Sequence, residues 1–307
     1  MIEKETHLIT FDNEIQHRSL WGDVWRQFCR HKGALAGVIV FIIITLLVSI
    51  GPIIHGIDPS TINFRERNLG PSLSHPLGTD NIGHDTLAQI LAGGQVSLAV
   101  GFFAMLISLV LGTLIGVLAG FIKSIDGPLM RLTDLFLALP ILPLLLVIIL
   151  LFRDTLRTLY GPEAGIFLLI VFVIGITSWM HTARIVRGDV LVIKEREFVT
   201  AAHSIGTKKR RIIFRHILPN ILSPIMVSAT LGVANAIITE SALSFLGLGF
   251  PPDFPTWGRL LYDGANFIQI TPSRVIWPGV FIALTVLSVN YIGDGLRDAL
   301  DPRLRGR

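Results

Sequence analysis

His75, Asp80, His84 and Asp85 fall within one short stretch, HPLGTDNIGHD, and together they could hold a divalent metal or trade protons. Their spacing fits no standard metal site. Asp85 is placed more simply as the cap of a helix beginning at Thr86. Glu240 is the other residue that asks for chemistry. It follows 23 charge-free residues and precedes the apolar run SALSFLGLGF. A carboxylate at membrane depth costs about 2.5 kcal/mol or more, so it must face protein or water. It either lines a cavity or serves as a structural carboxylate, paired or protonated, near an interface. Asn235 lies five residues earlier, outside the same-face spacing of three or four, and need not share its direction. The chain has no G-x-x-x-x-G-K-[ST] loop, no nucleophile-elbow serine, no His-Glu-x-x-His pair and no Gly-rich dinucleotide turn. A single cysteine, Cys29, excludes an internal disulfide and a multi-cysteine metal site.

The elements that would position these residues belong in a bilayer. Of 307 residues, 51% are hydrophobic and 16% charged, with a mean hydropathy of +0.65, outside the range of ordinary soluble domains. Six stretches lack Asp, Glu, Lys and Arg: residues 34–54, 96–122, 135–152, 164–181, 217–239 and 275–293. At ~1.5 Å per residue each can cross or nearly cross ~30 Å of hydrocarbon as a helix. The first begins after a long polar stretch, is longer than a signal-peptide core and has no small-residue cleavage site after it; it reads as a retained helix.

Charge orients these spans, because cytoplasmic loops collect Lys and Arg. With residues 1–33 inside, the cytoplasmic segments hold 20 of the 26 basic residues and the opposite segments the other six. Both ends of the chain are then expected in the cytoplasm. Within the spans, Gly112, Gly116 and Gly120 repeat at every fourth position, a stripe that lets a second helix approach closely. Pro140 and Pro143 lie inside the third span, where they can kink a helix.

The stretch EFVTAAHSIGTKKRRIIFRHILPN, residues 197–220, stands apart from its greasy surroundings. Phe198, Ala201, Ala202 and Ile205 fall at i, i+3, i+4 and i+7, a narrow apolar face with two methyl groups at its centre. Gly206 suits the stop of that helix and Thr207 the cap of a second one, over residues 208–218 and ending before Pro219. The segment reads as helix, tight turn, helix. The Lys208–Arg211 run that follows the turn could attract anionic lipid or nucleic acid, which explains its charge but not the Ala-Ala and Gly spacing.

Thr200, Ala201, Ala202, Gly206, Leu218 and Pro219 resemble the Glu-Ala-Ala loop of permease subunits of binding-protein-dependent ABC importers, with Thr200 where that family has Glu. Residues 75–85, ITESALSFLGLGFPPDFPTWG (238–258) and GDGLRDALDPRLR (293–305) are similar to the dipeptide/oligopeptide branch, specifically its second, C-type subunit. His84, Gln89 and Gln95 occupy positions that are commonly Arg in that branch. The four motifs, in order, cover nearly the whole chain from about residue 70.

The resemblance implies an all-α integral membrane protein with six transmembrane helices and a cytoplasmic coupling-helix loop at about 196–220. Residues 1–95 would form a cytoplasmic tail, the first helix and an extracytoplasmic segment; residues 96–307 would form the five-helix transport domain. Phe198, Thr200, Ala201, Ala202, Ile205 and Gly206 would dock the ATPase, and Glu240 and Asn235 would lie along a translocation path. The chain itself would be non-catalytic and bind no cofactor or metal, with ATP and Mg on separate ATPase subunits. Its partners would be a homologous permease, two ATPase subunits, an extracytoplasmic substrate-binding protein and membrane lipid, with no nucleic acid. The membrane would be a bacterial-type inner membrane, crossed several times with both termini cytoplasmic. The cargo would be di- or oligopeptides; nickel chelates or glutathione-like molecules within the same importer class are the alternative. An ATP-independent carrier or membrane enzyme would need several intramembrane carboxylates or histidines, and one Glu in six spans does not supply them. The outer segment 250–267, rich in proline and aromatics, is expected to form an ordered amphipathic cap, with Trp257 and Tyr262 at the water interface.

Overall fold

The computed structural model describes residues 20–251 and 254–300; the first part of the predicted tail, Pro252, Asp253 and the last seven residues lie outside the described residues. Its regular elements are helical. They are α1 (Leu20–Arg30), α2 (Lys32–His55), α3 (Thr86–Phe121), α4 (Lys123–Ala138), α5 (Ile141–Tyr160), α6 (Pro162–Ile176), α7 (Trp179–Lys194), α8 (Glu197–Ser204), α9 (Lys209–Ile212), α10 (Leu222–Phe245), α11 (Trp257–Ala265) and α12 (Ser273–Leu300). Five helical segments are long and apolar enough to cross a membrane, or six if the α4–α5 pair counts as one span. The protein is an all-α integral membrane protein.

The first, second and sixth predicted stretches become the long helices α2, α3 and α12. The third does not stay one helix. Pro140 is the cap of α5 and Pro143 sits in its first turn, where a missing N–H is harmless, so the prolines begin a new helix and the pair bends by 87°. The fourth stretch continues through Thr177 and Ser178 into α7, giving a span over Pro162–Lys194. The fifth also runs longer than expected at its far end, to Phe245, so Glu240 lies inside the helix.

α3 is the central strut, packing against α7, α10 and α6, while α2 and α12 lie side by side. The glycine stripe explains the closest of these contacts. A methyl group at Gly112 would come within 2.6 Å of Thr182 Cβ, and one at Gly120 within 2.7 Å of Val190 Cβ, so α7 can lie this near only because no side chain intervenes. Val100 and Ala104 of α3, Ile166 and Ile170 of α6 and Leu145 and Ile149 of α5 build one buried cluster. Ile39, Ile42, Ile43 and Leu46 of α2 remain exposed, as a lipid-facing surface should. α1 folds back on the bundle through Phe28, which is buried with Ala34 and Ala299.

Candidate functional site

The end of the bundle that holds the C-termini of α3 and α7 carries the short helix α8. Arg196 enters it in an extended conformation (φ −70°, ψ 145°), which breaks the chain away from α7. After two turns the helix closes with a pair of reversed hydrogen bonds: Gly206 N donates to His203 O at 3.0 Å and Thr207 N to Ala202 O at 3.1 Å. This Schellman closure requires a left-handed residue, and Gly206 supplies it with φ +75°. The turn is therefore where the sequence placed it. The cap of the following helix is Lys208 rather than Thr207. That helix also does not end before Pro219. A π turn over Ile213–Ile217 and a 3-10 turn over Leu218–Ile221 absorb the proline, and the chain runs on into α10.

The predicted apolar face of α8 divides. Ala202 is only 6% exposed and turns inward with Val199, against Ile212 and Ile217. Phe198 (45% exposed) and Ile205 (82% exposed) turn outward, and Thr200 and Ala201 are exposed as well. The inward pair sits three residues apart and the outward trio at i, i+3 and i+7, two sides of one helix. A cavity of about 560 Å³ opens beside α8, lined by Lys123, Lys194, Thr200, His203 and Lys209 among others. Lys208, Lys209, Arg210 and Arg211 are all exposed next to it.

Two ion pairs invisible in the sequence brace this end. Arg187 of α7 grips Asp126 of α4 with one edge of its guanidinium, Nε to Oδ1 at 2.5 Å and Nη2 to Oδ2 at 2.6 Å. Arg184 pairs with Asp134 one helical turn away. Lys194, the last residue of α7, donates to Gly120 O at 3.0 Å. α7, which leads straight into α8, is thus tied to α3 and α4.

Glu240 lies nearer the opposite end and is fully buried. Ser244 Oγ donates to its Oε1 at 2.8 Å and Ser97 Oγ to its Oε2 at 3.2 Å, and Trp257 N donates to Ser97 Oγ at 3.2 Å. Thr256, also fully buried, lies 3.4 Å from Ser244 Oγ. Hydroxyls from α3, α10 and the start of α11 thus surround one carboxylate and lock three elements together. Within this chain the carboxylate is a joint between α3, α10 and the start of α11. Asn235 points elsewhere and is exposed on α10. The i+4 spacing of Ser244 is the local signal that could have named that partner; Ser97, 143 residues away, left none. Trp257, expected at the water interface, is instead completely buried, its indole donating to Ile90 O at 3.0 Å.

The titratable cluster of residues 75–85 also divides. His84 Nδ1 meets Asp80 Oδ2 at 2.8 Å, whereas His75 Nδ1 meets Asp85 Oδ2 at 2.8 Å. His55, from the end of α2, takes the other oxygen of Asp85 at 2.9 Å. Asp85 also accepts from Ala88 N at 2.6 Å, so it is the cap of α3 as expected, while also joining α2 to the loop.

Residues 108–306 match the family described as the binding-protein-dependent transport system inner membrane component. Residues 19–71 match the N-terminal TM domain of oligopeptide transport permease C. The dipeptide transport system permease protein DppC of Alkalihalophilus pseudofirmus is 39% identical over 94% of this chain and 91% of its own length. The oligopeptide transport system permease protein OppC of Bacillus subtilis is 38% identical over 94% of this chain and 91% of its own length. The glutathione transport system permease protein GsiD of Pectobacterium atrosepticum is 36% identical over 94% and 93%. A solved structure titled for inward facing conformations of the MetNI methionine ABC transporter superposes with a TM-score of 0.55 at 17% identity, covering 68% of this chain and 94% of that one. That likeness concerns the fold alone. The chain belongs to the family of inner-membrane permease components of binding-protein-dependent transport systems, in its dipeptide/oligopeptide permease branch.

Proposed function

We propose that this permease subunit moves short peptides inward across the membrane, driven by ATP hydrolysis on separate ATPase subunits that dock on α8. The observation that carries the coupling role is the outward face of α8, where Phe198, Ala201 and Ile205 stand exposed on a helix closed rigidly by Gly206. An isolated eight-residue helix is marginal in water, so its stability comes from the inward pair Val199 and Ala202, which leaves the other side for a partner. The basic cavity beside it favours acidic groups on that partner. Force on α8 would reach the bundle through α7 and its Arg187–Asp126 clasp to α4. Gly206 shapes the docking turn, and Ala202 holds the helix in place instead of touching the ATPase.

The orientation follows from the basic residues. The α8 end is cytoplasmic with both termini, and residues 56–85 and 246–272 face the other side, where a substrate-binding protein delivers cargo. The functional unit pairs this chain with a homologous permease and two ATPase subunits, and the translocation path runs between the two permeases with Asn235 along it. Peptide cargo is supported by the names of the full-length relatives, which include dipeptide, oligopeptide and glutathione systems. Glutathione is itself a small peptide-like molecule, so that relative favours a second reading only within the same class. The test is uptake of labelled dialanine, pentaalanine and glutathione by vesicles holding the reconstituted importer, with ATP inside the ATPase compartment. Peptide uptake that stops without ATP is expected; uptake of none of the three would reject the peptide assignment.

A further inference from the structure

The outer loops enclose a cavity of about 310 Å³ between the first turns of α3 and α12 and the end of α11. Arg274, in the first turn of α12, lines it and is 8% exposed. A guanidinium carries five N–H donors in a fixed fork. Here Nη2 donates to Asn81 Oδ1 at 2.8 Å, and the ring of Phe267 lies under the group, its centroid 4.4 Å from Cζ. Nη1 is buried and has no acceptor. The two carboxylates that line the same cavity, Asp80 and Asp263, attract Arg274 through space but make their close contacts elsewhere. Asp263 is held by Arg259 at 2.9 Å, and Asp80 accepts from the ring and backbone of His84, both at 2.8 Å. Among the described residues, no carboxylate oxygen lies within ion-pair distance of Arg274.

A buried guanidinium with one neutral partner and an unused donor is costly, and the group that best relieves it is a carboxylate accepting in a bidentate pair. We infer that this cavity is a binding site for the carboxylate of an amino-acid-sized molecule, with Arg274 as its anchor. Three features set the class of ligand. The guanidinium sets the charge and the planar acceptor. The volume, at the lower limit of about 300 Å³ for small-molecule pockets, admits a single amino-acid residue and not a folded segment. The walls combine apolar Leu260 and Phe267 with polar Gln89 and Asn266, which suits a short aliphatic body with polar ends. The carboxylate has two possible sources, the C-terminal residue of a peptide cargo and a free amino acid. The first rests on the importer reading above; capture itself does not.

The experiment holds both permeases and the ATPase subunits in nanodiscs, without the binding protein, and reads saturation transfer by NMR to the methyl protons of three probes: dialanine, alanine and dialanine amide. Dialanine and alanine should both show transfer, and the amide, which lacks the negative charge, about tenfold less. Transfer to alanine equal to that of dialanine identifies a free amino acid as a sufficient ligand; transfer to dialanine alone identifies a peptide terminus. Arg274→Gln should abolish the signal and Arg274→Lys should retain part of it, because a point charge replaces the fork. Since loss of a buried arginine can also unfold the cap, Ile62→Trp is measured alongside. Ile62 is an exposed rim residue, 51% accessible, and bulk there should block entry while leaving Arg274 in place. Equal transfer to acid and amide, or transfer undiminished in both Arg274→Gln and Ile62→Trp, would overturn the site. So would an Arg274→Gln variant that only loses affinity for the binding protein, which would make Arg274 a receptor contact. A site that binds dialanine in an importer that moves no peptide would reject the cargo assignment and keep the site.

Discussion

Arg187 and Asp126 meet edge to edge, both donors of one guanidinium edge on both oxygens of one carboxylate, and they join α7, the helix that leads into α8, to the helix before the sharp bend at Pro140. The pair is partly exposed, 31% and 22%, so solvent weakens it; its geometry places it at the upper end of surface pairs, about 1 kcal/mol. Asp126→Asn and Arg187→Gln should each lower the thermal midpoint modestly. The double variant should lose less than the two singles combined, because removing either partner already breaks the clasp. A double-mutant cycle in detergent-purified protein measures this. Additive losses would mean that the two side chains do not interact.

Gly206→Val should uncouple transport without preventing insertion. A β-branched residue resists φ +75°, so the two reversed bonds of the turn would open and α8 would lose its direction. Co-purification of the ATPase with the variant is the readout. An unchanged yield of ATPase would show that the turn is dispensable.

The two sides of α8 should respond differently. Ala202→Trp forces a large ring into the contact with Ile212 and Val199, an overpacking cost of about 1–3 kcal/mol that appears as reduced thermal stability. Ile205→Asp changes an exposed residue, so stability should hold while ATPase binding falls. Loss of stability in Ile205→Asp with binding intact would reverse the assignment of the two faces.

The carboxylate of Glu240 accepts from Ser97 and Ser244, and a glutamine keeps the shape and an acceptor in the same place. Glu240→Gln should therefore retain the fold and uptake, whereas Glu240→Leu, which strands buried hydroxyls, should cost about 1–3 kcal/mol. Thermal unfolding and uptake are read on the same samples. A stable Glu240→Gln protein that no longer transports would show that the carboxylate acts in translocation as well as in the joint.

How far the fold could be read from the sequence varies by region, for physical reasons. Charge-free length alone located α2, α3 and α12, because a bilayer demands it, and the glycine repeat foretold a close helix contact on α3, which α7 makes. The turn at Gly206 and the cap at Asp85 are local events with local signatures, so they were legible too. Pro140 was ambiguous: the same residue can kink one helix or start another, and packing of α5 on α6 decides. The inward turn of Ala202 depends on Ile212 and Ile217, which the sequence puts on a different helix, so a four-residue periodicity could not assign it. The partners Ser97 and Glu240, Asp126 and Arg187, and His55 and Asp85 meet only through the tertiary fold.

The orientation proposed from the basic residues has its own consequence. In a Cys29→Ser background, single cysteines at Ser60 and Ile268, both exposed on the outer loops, should react with an impermeant thiol reagent in intact cells, and one at the exposed Ser204 should not. Labelling of Ser204→Cys from outside would invert the topology.

The central claim is that α8 carries ATP-driven force into this permease for peptide import. Its most direct measurement is ATP-dependent uptake of labelled dialanine by vesicles holding the binding protein, both permeases and the ATPase, comparing the parent with a Phe198→Asp, Ile205→Asp variant. The parent should accumulate dialanine only with ATP, and the variant should lose about 30-fold or more of that uptake, the effect of removing two central contacts, while its thermal midpoint stays at the parental value. Parental uptake by the variant, or dialanine accumulation by the parent without ATP, would contradict the account.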